Sequence, residues 1–167
     1  MNRAMLIGAI GSGKSTLTHA LLGRNVPAMK TQTLIYYDWI VDTPGEYIEN
    51  PLHYRNIMAT ALEVTHVLFL QDATKRHTIF PPGFSTGITK WPIGVVTKAD
   101  DPKADVSLAI QFLKQVIPEG PIVISSSVEG RGLEEIRQLV KCSSMAEIKH
   151  FAIENTCDHL FFHDFLK

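Results

Sequence analysis

The run Gly8-Ala9-Ile10-Gly11-Ser12-Gly13-Lys14-Ser15 constrains this chain more than any other stretch of it. It is a complete G-x-x-x-x-G-K-[ST] pattern, preceded by the apolar segment Arg3 to Ile7 and followed by the helix-forming segment Lys14 to Leu22. The glycines let the backbone turn tightly so that successive N–H groups converge on phosphate oxygens, and the following helix offers its positive dipole end to the same group. Gly8, Ala9, Ile10, Gly11, Ser12, Gly13, Lys14, Ser15 and Thr16 are therefore the candidate phosphate-binding residues. Within them the Lys14 ammonium would neutralise β- and γ-phosphate charge and the Ser15 hydroxyl would ligate Mg²⁺. Strand, glycine loop and helix make the first unit of an α/β fold.

The rest of the chain continues that pattern. Thr33 to Val41 is rich in β-branched and aromatic residues and stops at the turn signal Asp42-Thr43-Pro44-Gly45, so one strand or a tight hairpin is expected. Leu52 to Leu62 has helical spacing, and Val64 to Gln71 is a continuous apolar strand. Asp72 to Lys90 is a long loop carrying Pro81-Pro82-Gly83. Strands at Pro92 to Val96 and Pro121 to Ser125 alternate with helices at Val106 to Val116 and Gly132 to Val140. Strands without polar alternation, separated by helices, imply a mainly parallel sheet covered on both faces. One domain over residues 1–141 is expected, followed by a helical tail, 142–167, that packs back or docks a partner.

Composition narrows the function classes. With 16 Lys and Arg against 17 Asp and Glu in 167 residues, the chain has no basic footprint for nucleic acid. Its 45% hydrophobic content supports a real core. Cys142 and Cys157 are too few for a disulfide scaffold, and no apolar run approaches the ~18 residues of a membrane span. Met1 to Leu6 is too short for a signal peptide. A cytoplasmic protein is the expectation.

Three further motifs follow the glycine loop in order, each at a strand end. Asp42-Thr43-Pro44-Gly45 would place a carboxylate beside the metal, through a water, and a glycine N–H on the γ-phosphate. Thr97-Lys98-Ala99-Asp100 resembles the [N/T]-K-x-D base-reading motif of GTPases, which implies that the Asp accepts from the ring N–H and exocyclic amine of guanine. Adenine offers no such donor pair, so Asp100 would separate the two bases by leaving a carboxylate unpaired. Ser126-Ser127 resembles the Ser-Ala loop of the same proteins, whose backbone N–H supports guanine O6.

Taken together these elements resemble the small translation-factor-type GTPases over residues 3–141, which implies a three-layer P-loop NTPase sandwich. A closer resemblance rests on Lys30-Thr31-Gln32, Asp42-Thr43-Pro44-Gly45-Glu46-Tyr47 with Glu49-Asn50, Gln71-Asp72-Ala73-Thr74 and Phe80-Pro81-Pro82-Gly83-Phe84. These residues look like the EutP/PduV family, small P-loop proteins encoded with the ethanolamine and propanediol utilisation microcompartments of bacteria. The resemblance implies GTP and GDP as ligands, Mg²⁺, and a protein partner such as a microcompartment shell component. Thr31, with Thr33 the competing choice, would match the effector-loop threonine that ligates Mg²⁺ beside Ser15 and Asp42.

Two departures bear on mechanism. Glu46 stands where Ras-like enzymes carry the water-orienting glutamine, and Gly11 stands where potassium-activated relatives carry an asparagine, so slow hydrolysis is expected. The candidate catalytic set is then Lys14, Gly45 and, more weakly, Glu46. Arg24, Arg55 and Arg76 are present, with nothing to place any of them as an arginine finger. A guanine-nucleotide switch is the leading reading. A kinase that passes phosphate, from ATP or GTP, to a small acid such as acetate is an alternative, and a nucleotide-binding shell protein without turnover is a third. The Asp72 to Lys90 loop reads equally as a docking surface or a packed cover, and His159 with His163 could hold a metal beside Cys157 or Asp164 if they shared a helix.

Overall fold

The computed structural model describes residues 1–24 and 32–165. Alternation of buried side chains explains the architecture. In strand β1 (Ala4–Ile7) all four residues are buried, and successive side chains leave opposite faces of the strand. Met5 and Ile7 join one apolar cluster, while Ala4 and Leu6 join another. A strand apolar on both faces must lie between two helical layers.

Six further strands extend it: β2 (Ile35–Tyr36), β3 (Ile40–Asp42), β4 (His66–Asp72), β5 (Trp91–Thr97), β6 (Glu119–Ile124) and β7 (Leu160–Asp164). Their spatial order is β2-β3-β1-β4-β5-β6-β7. The strands from β3 to β6 run parallel, with β2 and β7 antiparallel at the two edges. Of the two forms expected for Thr33 to Val41, one strand or a tight hairpin, the hairpin is found. Helices α2 (Glu46–Glu49), α3 (Tyr54–Ala61) and α4 (Val106–Val116) supply Ile48, Ile57 and Leu113 to the first cluster. On the other face α1 (Lys14–Leu21), α5 (Leu133–Lys141) and α6 (Met145–Glu154) supply Leu17, Leu139 and Ile148. The parallel strands therefore all end on one edge, and the loops that carry the sequence motifs gather there.

One expectation changes, and one choice left open is decided. The tail is helical only over α6; its last described part is β7, paired along its length with β6. A strand won there because Leu160 fills the second cluster while its backbone completes the ladder, so His159 and His163 do not share a helix. The segment is part of the same sheet. In the long loop, Phe80 is buried against Phe69, and Phe84 packs edge-on to Tyr54. These rings cover the core and are not presented for docking.

Leu160 is fully buried, so Leu160→Ala should lower stability by about 2–5 kcal/mol, the range for such truncations, in urea unfolding. A loss of a few tenths would mean that the tail is an appendage.

Candidate functional site

The phosphate loop leaves β1 and closes through Gly11 and Gly13, whose φ values of 79° and 99° favour glycine. Lys14 folds over it, donating to Gly8 O at 2.8 Å and Ala9 O at 3.0 Å. Burial pushes the Lys14 ammonium down to about 8, against the pull of the Asp42 and Glu49 carboxylates. Such a cation is under-compensated, and an incoming phosphate would supply the missing charge.

Next to it the Ser15 hydroxyl donates to Asp42 Oδ2 at 2.8 Å. Asp42 is completely buried at the end of β3, and the neighbouring Thr43 hydroxyl ties the strand end to Leu6 O at 2.6 Å. A hydroxyl on the first turn of α1 and a buried carboxylate at the end of β3 form an all-oxygen donor set of the kind Mg²⁺ takes, so these residues fit that ion. Thr31, the third expected ligand, lies outside the described residues; Thr33, the competing choice, is described and exposed.

Gly45 is in direct contact with the loop. A Cβ added there would sit 2.6 Å from Ile10 N and 2.7 Å from Ile10 Cα, so only glycine lets this segment close. Closure brings the first turn of α2 across the loop, and Glu49 Oε1 accepts from Ile10 N at 3.4 Å. Glu46, the expected water-positioning candidate, is exposed at the start of the same helix. Glu49 is the carboxylate that reaches the loop, and sequence gave no way to choose between two acids three residues apart.

The Thr97-Lys98-Ala99-Asp100 segment is bound to the phosphate loop by two bonds. The Thr97 hydroxyl donates to Ser12 O at 2.7 Å, and Lys98 Nζ donates to Gly11 O at 2.7 Å. Lys98 has a φ of 60°, unusual for a residue with a side chain, and it is held there by an ion pair with Asp72 at 2.9 Å. Burial alone would raise the Asp72 carboxyl, but hydrogen bonds from Thr74 and the Lys98 charge outweigh it and hold it below the usual range. Asp72 went unassigned at the sequence level, although an acid ending the apolar strand His66-Val67-Leu68-Phe69-Leu70-Gln71 is a visible signal. Beyond Lys98, the exposed Asp100 carboxylate accepts from the Ser126 hydroxyl at 2.8 Å, and that hydroxyl in turn accepts from Glu129 N at 3.0 Å. Ser127 follows, half-buried, and Thr16 is exposed on the first turn of α1.

A parallel α/β sheet with the glycine loop between β1 and α1 defines a P-loop NTPase. The chain belongs to the PduV-EutP family, described as ethanolamine utilisation and propanediol utilisation, which matches residues 1–142. It is 33% identical over 159 residues to "Probable acetate kinase EutP" of Salmonella typhimurium, covering 93% of this chain and 98% of that one. Against "Propanediol utilization protein PduV" of Citrobacter freundii the identity is 34% over 138 residues, or 81% and 91% of the two chains. Among solved structures, an Aquifex aeolicus Era variant bound to GDP and AlF4⁻ superposes with a TM-score of 0.59 at 24% identity. That match covers 83% of this chain but only 56% of Era, and it bears on the fold alone.

Between about pH 8 and the ordinary 10.5, the unfolded chain keeps a Lys14 proton that the folded chain has released. Stability of the nucleotide-free protein should therefore rise with pH across that window relative to Lys14→Met. Parallel urea titrations of the two proteins measure the difference; a flat difference would mean that Lys14 titrates normally.

Proposed function

We propose that this chain binds Mg²⁺-GTP and hydrolyses it slowly to GDP, as a switch or accessory factor in ethanolamine or propanediol utilisation. The observation that carries the reading is the coupling of the two loops: Thr97 and Lys98 bond to carbonyls of Ser12 and Gly11, so a ligand spanning both loops meets one rigid surface. In this reading Gly8 to Thr16 cradle the phosphates, Lys14 neutralises them, and Gly45 contacts the γ-phosphate. Ser15 and Asp42, with Thr31, would hold Mg²⁺, whose charge offsets that developing on the phosphates. Thr97, Lys98, Asp100, Ser126 and Ser127 form the base site. Slow turnover follows from the exposure of Glu46 and from the lack of an arginine hydrogen-bonded to the loop among the described residues. Loss of the γ-phosphate contact would release α2, and a protein partner, with a microcompartment shell component the favoured kind, would read that change.

A second reading is a kinase, the activity printed in the name of the Salmonella relative. It is favoured by a cavity that adjoins Ala9 and Ile10 and carries Lys75 and His77 on its wall. Here Lys14 and the Mg²⁺ site keep their roles, and the nucleophile is a small acid in place of water.

Calorimetric titration with Mg²⁺-GDP and Mg²⁺-ADP tests the base assignment. GDP is expected to bind and ADP to bind far more weakly, and Asp100→Asn should cost roughly 100-fold or more in GDP affinity by removing a charged acceptor. Equal binding of the two diphosphates would move the ATP-dependent kinase to first place.

A further inference from the structure

The phosphate loop has a direction that the contacts define. Its Gly11 and Ser12 end is bonded to the base-reading strand end. Its Ala9 and Ile10 end receives Lys14 Nζ and lies under Gly45, the side of the terminal phosphate in the nucleotide reading above. A cavity of about 230 Å³ opens beside that second end, between Ile10, the end of β4 and the loop at residues 75–79. None of Thr97, Lys98, Asp100, Ser126 or Ser127 lines it, so its occupant is not the nucleobase of that reading.

The lining decides the chemistry. Ser12 is 2% exposed, and its Oγ has no hydrogen-bond partner among the described residues although it lies on the cavity wall. A buried hydroxyl in that condition needs a ligand or water to satisfy it. Asp72, also on the wall, is committed to Lys98 and Thr74, and Glu49 reaches Ile10 N. Lys75 has no carboxylate within ion-pair distance among the described residues; its backbone is pinned by a bond to Asp72 O, and His77 stands two residues on. Gln71 holds this loop in place by donating to His77 O at 3.1 Å. The remaining walls, Ile10, Leu70 and Ile79, are apolar.

We propose that this cavity is the acceptor site of the P-loop centre and takes a short-chain carboxylate, with Lys75 binding the carboxylate and the Ile10, Leu70 and Ile79 wall receiving its alkyl end. The assignment rests on the nucleotide site proposed above and gives its kinase reading a location. The carboxylate is already ionised at neutral pH. One of its oxygens attacks the γ-phosphorus, the bond from that phosphorus to the β,γ-bridging oxygen breaks, and the electron pair leaves on the nucleoside diphosphate. An acyl phosphate forms, and no proton has to move. The product must be consumed by a reaction that uses an activated acyl group or transfers its phosphate onward.

The test supplies Mg²⁺-GTP or Mg²⁺-ATP with acetate or propionate and traps acyl phosphate as the hydroxamate, while calorimetry follows the nucleotide separately. Acyl phosphate is expected from the unaltered protein. Lys75→Met should raise the carboxylate KM about ten-fold or more, the loss of one charge-assisted contact, with nucleotide affinity unchanged. Lys75→Arg should restore most of it, and Arg76→Ala should have no effect. A protein that binds Mg²⁺-GTP yet forms no acyl phosphate overturns the acceptor site and leaves the nucleotide site standing. So does a Lys75→Met protein with an unchanged KM, or Lys75-dependent binding of inorganic phosphate alone, which would make the cavity an exit for hydrolysed phosphate. Should no nucleotide bind, the nucleotide reading fails first, and NMR of ¹³C-acetate with and without Lys75 judges the cavity independently.

Discussion

The site depends on one constraint: the phosphate loop carries carbonyls that must be satisfied while its N–H groups stay available. Four consecutive or near-consecutive carbonyls, from Gly8, Ala9, Gly11 and Ser12, accept from Lys14, Lys98 and Thr97. Each donor comes from a residue that also has a task toward a ligand in the proposed reading. The loop is thus shaped by the side chains that would contact phosphate and base, and its conformation and its chemistry cannot be separated.

Lys98 shows what that arrangement costs. A left-handed backbone at a residue with a side chain is worth about 1–3 kcal/mol of strain and persists only where the surroundings over-determine it. Here the Gly11 carbonyl and Asp72 together fix the ammonium, and Asp72 is itself fixed by Thr74. Strand β4 contributes none of the four nucleotide-site motifs, yet its last residue, Asp72, holds Lys98 at the end of β5 against the phosphate loop. The same strand end, with Gln71 and the following loop, walls the cavity on the opposite flank.

The other side of the loop is governed by close approach. Gly45 lies so near Ile10 that no larger residue fits, and this contact sets the distance at which α2 crosses the loop. Glu49 then partners Ile10 N, while Glu46 remains in solvent. Hydrolysis by water and transfer to an acid make different demands on this region, because water must be deprotonated and a carboxylate need not be.

The sequence alone determined the α/β class, the order of the parallel strands' motifs and the residues of the phosphate loop, because each follows from local requirements. Glycine is needed for positive φ, and apolar runs are needed wherever a strand is covered on both faces. Which of Glu46 and Glu49 meets the loop, that Asp72 anchors Lys98, and that Ser12, Lys75 and His77 share one cavity were decided only by tertiary structure. Those facts are distances between strand ends far apart in the chain, set by the register of a sheet whose order is not the order of the sequence. The tail shows the same division. Its helix is legible from periodicity, but residues 160–164 form a strand only because β6 presents an open edge and the second core cluster has room for Leu160.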